Sequence, residues 1–457
     1  MKYMLLAFLL MGLHAQANLI VVNSNQDTVA VDGECTLREA LTAANFDIFV
    51  ADCNATGLGD DLIWVLLGTS GDAIQLDNQL GIIDGVTIQG PGADNLVLFP
   101  ANGHSGHIFQ INTDRDVILQ DFRIGGAQSS AVDVVNVRDL EIANMEFHNN
   151  QAGSNEYGGA IQADVEDGHT LSISSLMINN VLFQSNSADY GGAVAAGGTY
   201  DFSVNNSEFI SNTASSIGAA IYRYYRGFDS IDTVFTTIKN SQFKENSCSN
   251  GTVSVLQQTL DVSESLFQNN SGITTINALN TRGAIRNSIF TGRTSGRALT
   301  FSGYPTALVS IISVEFNTFI NKSSAVDIQV GNYATASIRG NAFAGSNITS
   351  CQEINSDTLI SNGYNLEAVG ASCTFHIDDL PATNAELLPL GLYGGEILIV
   401  PPTVSSPLVD TAMGCNSNDI SGIGRPYDGN GDGTSECDIG AVELPEDFDY
   451  IFINGFE

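Results

Sequence analysis

Glu146-Phe147-His148-Asn149-Asn150 followed by Gly158-Gly159-Ala160-Ile161 recurs as Leu182-Phe183-Gln184-Ser185-Asn186 with Gly191-Gly192-Ala193-Val194. It returns as Phe209-Ile210-Ser211-Asn212 with Gly218-Ala219-Ala220-Ile221. Weaker copies pair Phe243 with Asn246 and Phe267 with Asn270, and Phe290, Phe319 and Phe343 continue the series without the full pattern. Successive phenylalanines lie about two dozen to three dozen residues apart, a range of self-similarity that marks a solenoid. Each copy holds short β-type segments such as Leu171-Ser172-Ile173 and Phe202-Ser203-Val204, separated by Asn, Ser and Gly. One copy is read as one coil of a right-handed parallel β-helix, an all-β fold.

That geometry gives each motif residue a physical task. An inward Phe, one per turn, lies over the Phe of the coil below and buries a large apolar area. Asn three residues later suits a left-handed bend and hydrogen bonding along the stack. Gly-Gly-Ala allows a tight backbone turn with little side-chain volume at the next bend. Phe147, Phe183 and Phe209 are therefore structural residues rather than ligand contacts.

A solenoid needs its open apolar ends covered. At the front, Thr36-Leu37-Arg38-Glu39 has the spacing of a capping box, and Leu37, Ala40, Leu41 and Ala44 make one apolar face of a short capping helix. At the back the repeat fades after Phe343, and the punctuation changes between Cys351 and Glu443. The expected division is a leader over 1–17, an N-terminal cap over 18–84, the β-helix over 85–350, a C-terminal cap over 351–444 and an acidic tail over 445–457.

The leader reading rests on Lys2, the apolar run Met4 to Leu13 and Ala15-Gln16-Ala17, the small-x-small pattern of secretory signal peptides. The mature chain then begins at Asn18. No stretch approaches the roughly 20 apolar residues of a transmembrane helix. The formal charge of −35 becomes −36 once Lys2 is lost, which repels nucleic acid and anionic lipid and tolerates cations. In an exported chain, the order of the seven cysteines suggests three local disulfides, Cys35 with Cys53, Cys351 with Cys373 and Cys415 with Cys437. Six cysteines allow 15 pairings, so this choice rests on proximity alone. Cys248 is left as a buried thiol.

Cys35-Thr36-Leu37-Arg38-Glu39-Ala40-Leu41 with Ala44-Asn45 resembles the N-terminal motif of bacterial CSLREA-domain proteins, departing in Thr36 for Ser. The Phe-x-x-Asn and Gly-Gly-Ala pairs resemble repeats of the polymorphic outer-membrane proteins of chlamydiae, which are β-helical adhesins. Ser406 to Asp410 and Gly424-Arg425-Pro426 to Glu443 are similar to the choice-of-anchor Q domain. Together these cover most of the chain after the leader. The chlamydial proteins end in a long membrane β-barrel with no counterpart here, so self-insertion is not carried over. Ile451-Phe452-Ile453-Asn454-Gly455-Phe456-Glu457 resembles a short C-terminal motif of exported proteins of some gammaproteobacteria. These resemblances imply a protein secreted from, or displayed on, a Gram-negative cell.

Two segments are candidate sites. Asp428-Gly429-Asn430-Gly431-Asp432-Gly433 alternates oxygen side chains with glycine, as in the first half of an EF-hand loop. Position twelve is Ile439 where an EF-hand supplies Glu, so the expected structural calcium ligands are Asp428, Asn430, Asp432 and Asp438. Tyr222, Arg223, Tyr225 and Arg226 are the expected ligand contact, since rings stack on sugars and Arg clamps acidic groups. A second basic group, Arg282, Arg286, Arg293 and Arg297, would matter to a polysaccharide lyase, which neutralises a uronate carboxylate, although Arg is a poor base. A hydrolase would need paired carboxylates, for which Asp189, Asp201, Asp229, Asp232, Asp261 and Glu264 are available. No nucleophile elbow, zincin motif, phosphate loop or dinucleotide fingerprint occurs. The expectation is a monomeric, non-catalytic β-helix that binds a polysaccharide or a cell-surface protein, with a lyase or glycoside hydrolase as the alternative.

Overall fold

The computed structural model describes residues 18–445 except 58, 68–70, 164–172, 225–233, 305–309, 322–323, 347–348, 355–357 and 416–417. The chain winds as a parallel β-helix. Val117–Gln120, Arg123–Gly125 and Val132–Asn136 give one strand to each of three sheets, and Asp139–Ala143 then stacks in parallel on Val117–Gln120 to begin the next coil. Among the described residues, the first sheet has 13 strands, from Leu19–Val22 to Thr358–Ser361. The second has 13, from Asp72–Leu76 to Leu380–Pro381, and the third has 11, from Leu80–Ile82 to Cys351–Glu353. The coils therefore extend past both ends of the 85–350 span, and the capping helix is an insertion between the first two strands of the first sheet.

Strand alternation fills the interior. Leu176 and Ile178 are fully buried while Met177 between them faces out. Phe147, Phe183, Phe209, Phe243, Phe267, Phe290, Phe319 and Phe343 form one continuous stack, with centroids 4.7 to 5.2 Å apart. That spacing equals the distance between hydrogen-bonded strands, so the backbone pitch sets the ring contact.

Asn150, Asn186, Asn212, Asn246 and Asn270 make a buried amide ladder beside the rings. Each of the first four donates Nδ2 to the next Oδ1 at 2.9 to 3.1 Å. Asn186, Asn212, Asn246 and Asn270 also donate to the carbonyls of Phe147, Phe183, Phe209 and Phe243 at 2.7 to 2.9 Å. The left-handed bend expected of these asparagines falls instead on the preceding residue, Asn149, Ser185, Ser211, Glu245 or Asn269. Placing the bend one residue earlier turns the Asn side chain inward, where it meets four hydrogen-bonding atoms. The glycines behave as expected: Gly158 has φ +57°, and a Cβ there would stand 1.9 Å from the Ile161 carbonyl.

The helix Leu37–Phe46 covers the front opening with Leu37, Ala40, Leu41 and Ala44 buried. Both arms of its capping box are present, Thr36 accepting from the Glu39 amide and Glu39 from the Thr36 amide. Cys35–Cys53, Cys351–Cys373 and Cys415–Cys437 are disulfides, and Cys248 is a buried free thiol whose pKa burial raises. Among the described residues no helix is long and apolar enough to cross a membrane. The leader, and the tail beyond Pro445, lie outside the described residues.

Candidate functional site

After Pro381 the chain stops coiling and folds back along the outside of the solenoid. Ile397, Ile399, Ile420, Ala441 and Val442 bury against Leu266 and Ile289 of the coils. Asn287 Nδ2 donates to the Asn418 carbonyl at 2.8 Å, the Ala441 amide donates to Thr318 Oγ1 at 2.9 Å, and Arg339 donates to the Met413 carbonyl. This segment overhangs the outer face of the first sheet, and the gap between them is a groove of about 690 Å³.

The register explains the wall. Glu141, Met177, Ser203, Thr237 and Asp261 sit side by side on successive strands, all pointing outward, with Asn179, Asn205 and Lys239 two residues further on. At the corner leaving each strand, Asn144, Asn180, Asn206, Asn240 and Glu264 have φ between 48 and 55°. Asn tolerates this left-handed conformation, and here its side chain stays on the surface. Asn180 donates to Asn144 at 2.8 Å, Asn206 to Asn179 at 3.3 Å and Asn240 to Asn206 at 2.6 Å. Glu264 ends this exposed ladder and pairs with Lys239 at 3.4 Å. Gly395, Glu396, Ile397, Ile420, Ser421 and Gly422 form the overhang. Among the described lining residues, Lys239 is the one cation against Glu141, Glu264 and Glu396.

One strand beyond, Asp261 is bound through Oδ2 by Arg286, while its buried Oδ1 has no hydrogen-bond partner among the described residues. Burial raises its carboxyl pKa despite Arg286 and Lys239. The four arginines considered for uronate neutralisation do not converge. Arg286 is committed to Asp261, and Arg293 lies inside the coil, donating to Asn270 O at 3.1 Å, Thr275 Oγ1 at 3.0 Å and Gly272 O at 2.5 Å.

Arg223 is a correction to the sequence reading. It occupies an inward position of Ile221–Tyr224, is 0% exposed, donates to the carbonyls of Ala196 (3.1 Å) and Thr199, and lies over the Phe202 ring. The small Ala196 in the register position below leaves room for it. Burial lowers its pKa to about 9, and it presents no charge to a ligand. Tyr222 points the other way, into a half-buried cluster with Tyr157, Tyr190 and Tyr224 on a different flank from the groove. Tyr225 and Arg226 lie outside the described residues.

Asp438 is the second correction. It is 0% exposed, and its two oxygens accept the amides of Asp410 at 2.8 Å and Leu444 at 2.7 Å. It belongs to a buried cluster with Glu443, Arg425 and Asp419, not to the exposed loop at Asp428. In that loop Asp428 accepts amides from Gly431, Asp432 and Gly433, and Asn430 accepts from Asp432.

Sequence reasoning missed the exposed corner ladder, of which Asn206, Asn240 and Glu264 line the groove. Its signal is a polar residue three positions before each motif Phe, at Asn144, Asn180, Asn206, Asn240 and Glu264. A repeat alignment from Phe backwards would have exposed it.

No family model and no curated protein matches the chain. Two solved structures are similar in outline. The catalytic unit of a GH87 α-1,3-glucanase from Streptomyces thermodiastaticus strain HF3-3 is 15% identical over 74% of this chain and 67% of that one, with a TM-score of 0.42. The A-module of mannuronan C-5 epimerase AlgE6 from Azotobacter vinelandii is 12% identical over 74% of this chain and 97% of that one, with a TM-score of 0.38.

Proposed function

We propose that this is an exported β-helix that holds a polysaccharide in the groove between the first sheet and the overhanging C-terminal segment. The observation that carries it is the groove wall itself. Asn179, Asn205, Asn206, Asn240 and Ser203 offer adjacent donors and acceptors at fixed spacing, the pattern that vicinal sugar hydroxyls present. Met177, exposed on the wall, supplies apolar surface for a ring face. With three carboxylates and one already paired lysine, the groove favours a neutral chain over a polyuronate. Resemblance to CSLREA, polymorphic outer-membrane and choice-of-anchor Q sequences supports display or secretion by a Gram-negative bacterium and a role in adhesion.

The purified chain should be retarded in affinity electrophoresis through gels holding a neutral polysaccharide. Ser203→Trp, which fills the groove, and Asn205→Ala should each weaken retardation at least about tenfold. Indifference to every neutral polymer, or to both substitutions, would sink the proposal. A second reading, glycoside hydrolysis, rests on Asp261, an outward carboxyl with a raised pKa and an unpartnered oxygen. New reducing ends that vanish in Asp261→Asn would establish it.

Calcium is proposed for the Asp428–Gly433 loop with Asp428, Asn430 and Asp432 as ligands and without Asp438. Ionised carboxylates carry about four acceptor sites, so those serving loop amides leave others for a cation. Terbium luminescence displaced by calcium, and abolished in Asp428→Asn, is the expected result.

A further inference from the structure

Asp61 opens the second strand of the first sheet and is 2% exposed. Its Oδ1 accepts the backbone N–H of Asn18 at 3.0 Å and Asn18 Nδ2 at 2.8 Å, while its buried Oδ2 has no hydrogen-bond partner among the described residues. Asp47, which ends the capping helix, also has a buried oxygen without a partner, and the charges of Asp47 and Asp84 both act on Asp61. Arg115 is engaged with Asp60, the residue before Asp61, and with Asp84. A buried carboxylate among other carboxylates is costly unless a positive group meets it. The atom facing Asp61 is a backbone nitrogen, and it directly follows Ala15-Gln16-Ala17, with small residues at both positions that a leader-cleaving peptidase reads.

We propose that the chain is cut between Ala17 and Asn18 and that the freed α-ammonium of Asn18 is clamped by Asp61, which makes the processed terminus a working part of the first coil. Water adds across the peptide bond, its oxygen going to the Ala17 carbonyl carbon to leave a carboxylate. The Asn18 nitrogen departs as an amine and takes a proton. The resulting ammonium has three N–H donors where the peptide had one, so Asp61 Oδ2 gains a partner along with Oδ1. The inference rests on the export reading, not on what the groove holds. An anionic Asp61 raises the pKa of the amine above its ordinary value near 8, so the clamp holds from above the pKa of the Asp61 carboxyl, itself raised by burial, up to about pH 8, and is lost as pH rises through the raised amine value.

Expressed with its leader in a Gram-negative host, the exported protein should have the intact mass of residues 18–457, and any other start overturns the cut. Chain 18–457, released from a fusion with Asn18 free, is then compared with the same chain keeping Ala17 and with Asp61→Asn. An amine-reactive ester should label the terminus of chain 18–457 about tenfold more slowly, or less, than in either variant, one unit of pKa. Amide exchange in Leu19–Val22 should quicken in both. Equal labelling and unchanged protection in all three overturn the clamp whether or not the groove binds a glycan. If Asp61→Asn does not fold, the form keeping Ala17 decides alone.

Discussion

Asn212 is held by its neighbours on both sides. Its Oδ1 takes the amide and Nδ2 of Asn186, and its Nδ2 goes to Phe183 O and Asn246 Oδ1. Asn212→Ala strands these groups in a dry interior, and a loss of about 3 kcal/mol in urea unfolding is expected. The Phe and its Asn were legible because both are identical in successive copies. The bend was not, because its occupants, Asn149, Ser185, Ser211 and Glu245, share only a coil position and not a chemistry. Arg223 was illegible for a related reason: its acceptors are carbonyls of Ala196 and Thr199, which carry no mark in a side-chain sequence.

At the scale of an element, the terminal cap is organised around buried charge. Arg425 donates to the carbonyls of Asp438 and Gly440 at 3.0 and 2.7 Å, with Glu443 at 3.6 Å, and Asp419 accepts the Glu443 amide at 2.9 Å. Burial, then Glu443, push the Asp438 carboxyl up to about 8. Between about pH 4, where the unfolded carboxyl titrates, and 8 the folded cap keeps a proton that the unfolded chain releases, so cap stability falls as pH rises through that window. Glu443, also raised by burial, acts in the same direction. Melting curves from pH 4 to 9 should therefore slope less in Asp438→Asn, which gives up one of the two amide bonds at that site. The sequence marked this region by its change of punctuation and its cysteines. It did not show that Asp438 and Asp428 serve different purposes, since ten residues of irregular chain leave their relative direction open.

For the whole molecule, the groove exists only while the returning segment stays docked on the coils. The Cys415–Cys437 bridge closes a loop of 22 residues in that segment, and such a constraint contributes about 3 kcal/mol. Cys415→Ser with Cys437→Ser should release the cap at lower urea than the coils, and glycan retention should vanish with the first of the two transitions. The coil architecture was plain from the repeat, but the groove was not, because its far wall comes from a stretch of chain with no repeat at all. The phenylalanine stack carries one more consequence. Its steps along the chain are unequal, 23 to 36 residues between successive rings, although the rise between rings is nearly constant. Drawn out by its two ends, the solenoid would shed coils singly, each lengthening the thread by roughly 80 to 125 Å at about 3.5 Å per residue. Read in order, the uneven increments differ from the two ends, so a force trace would report from which end the molecule came apart.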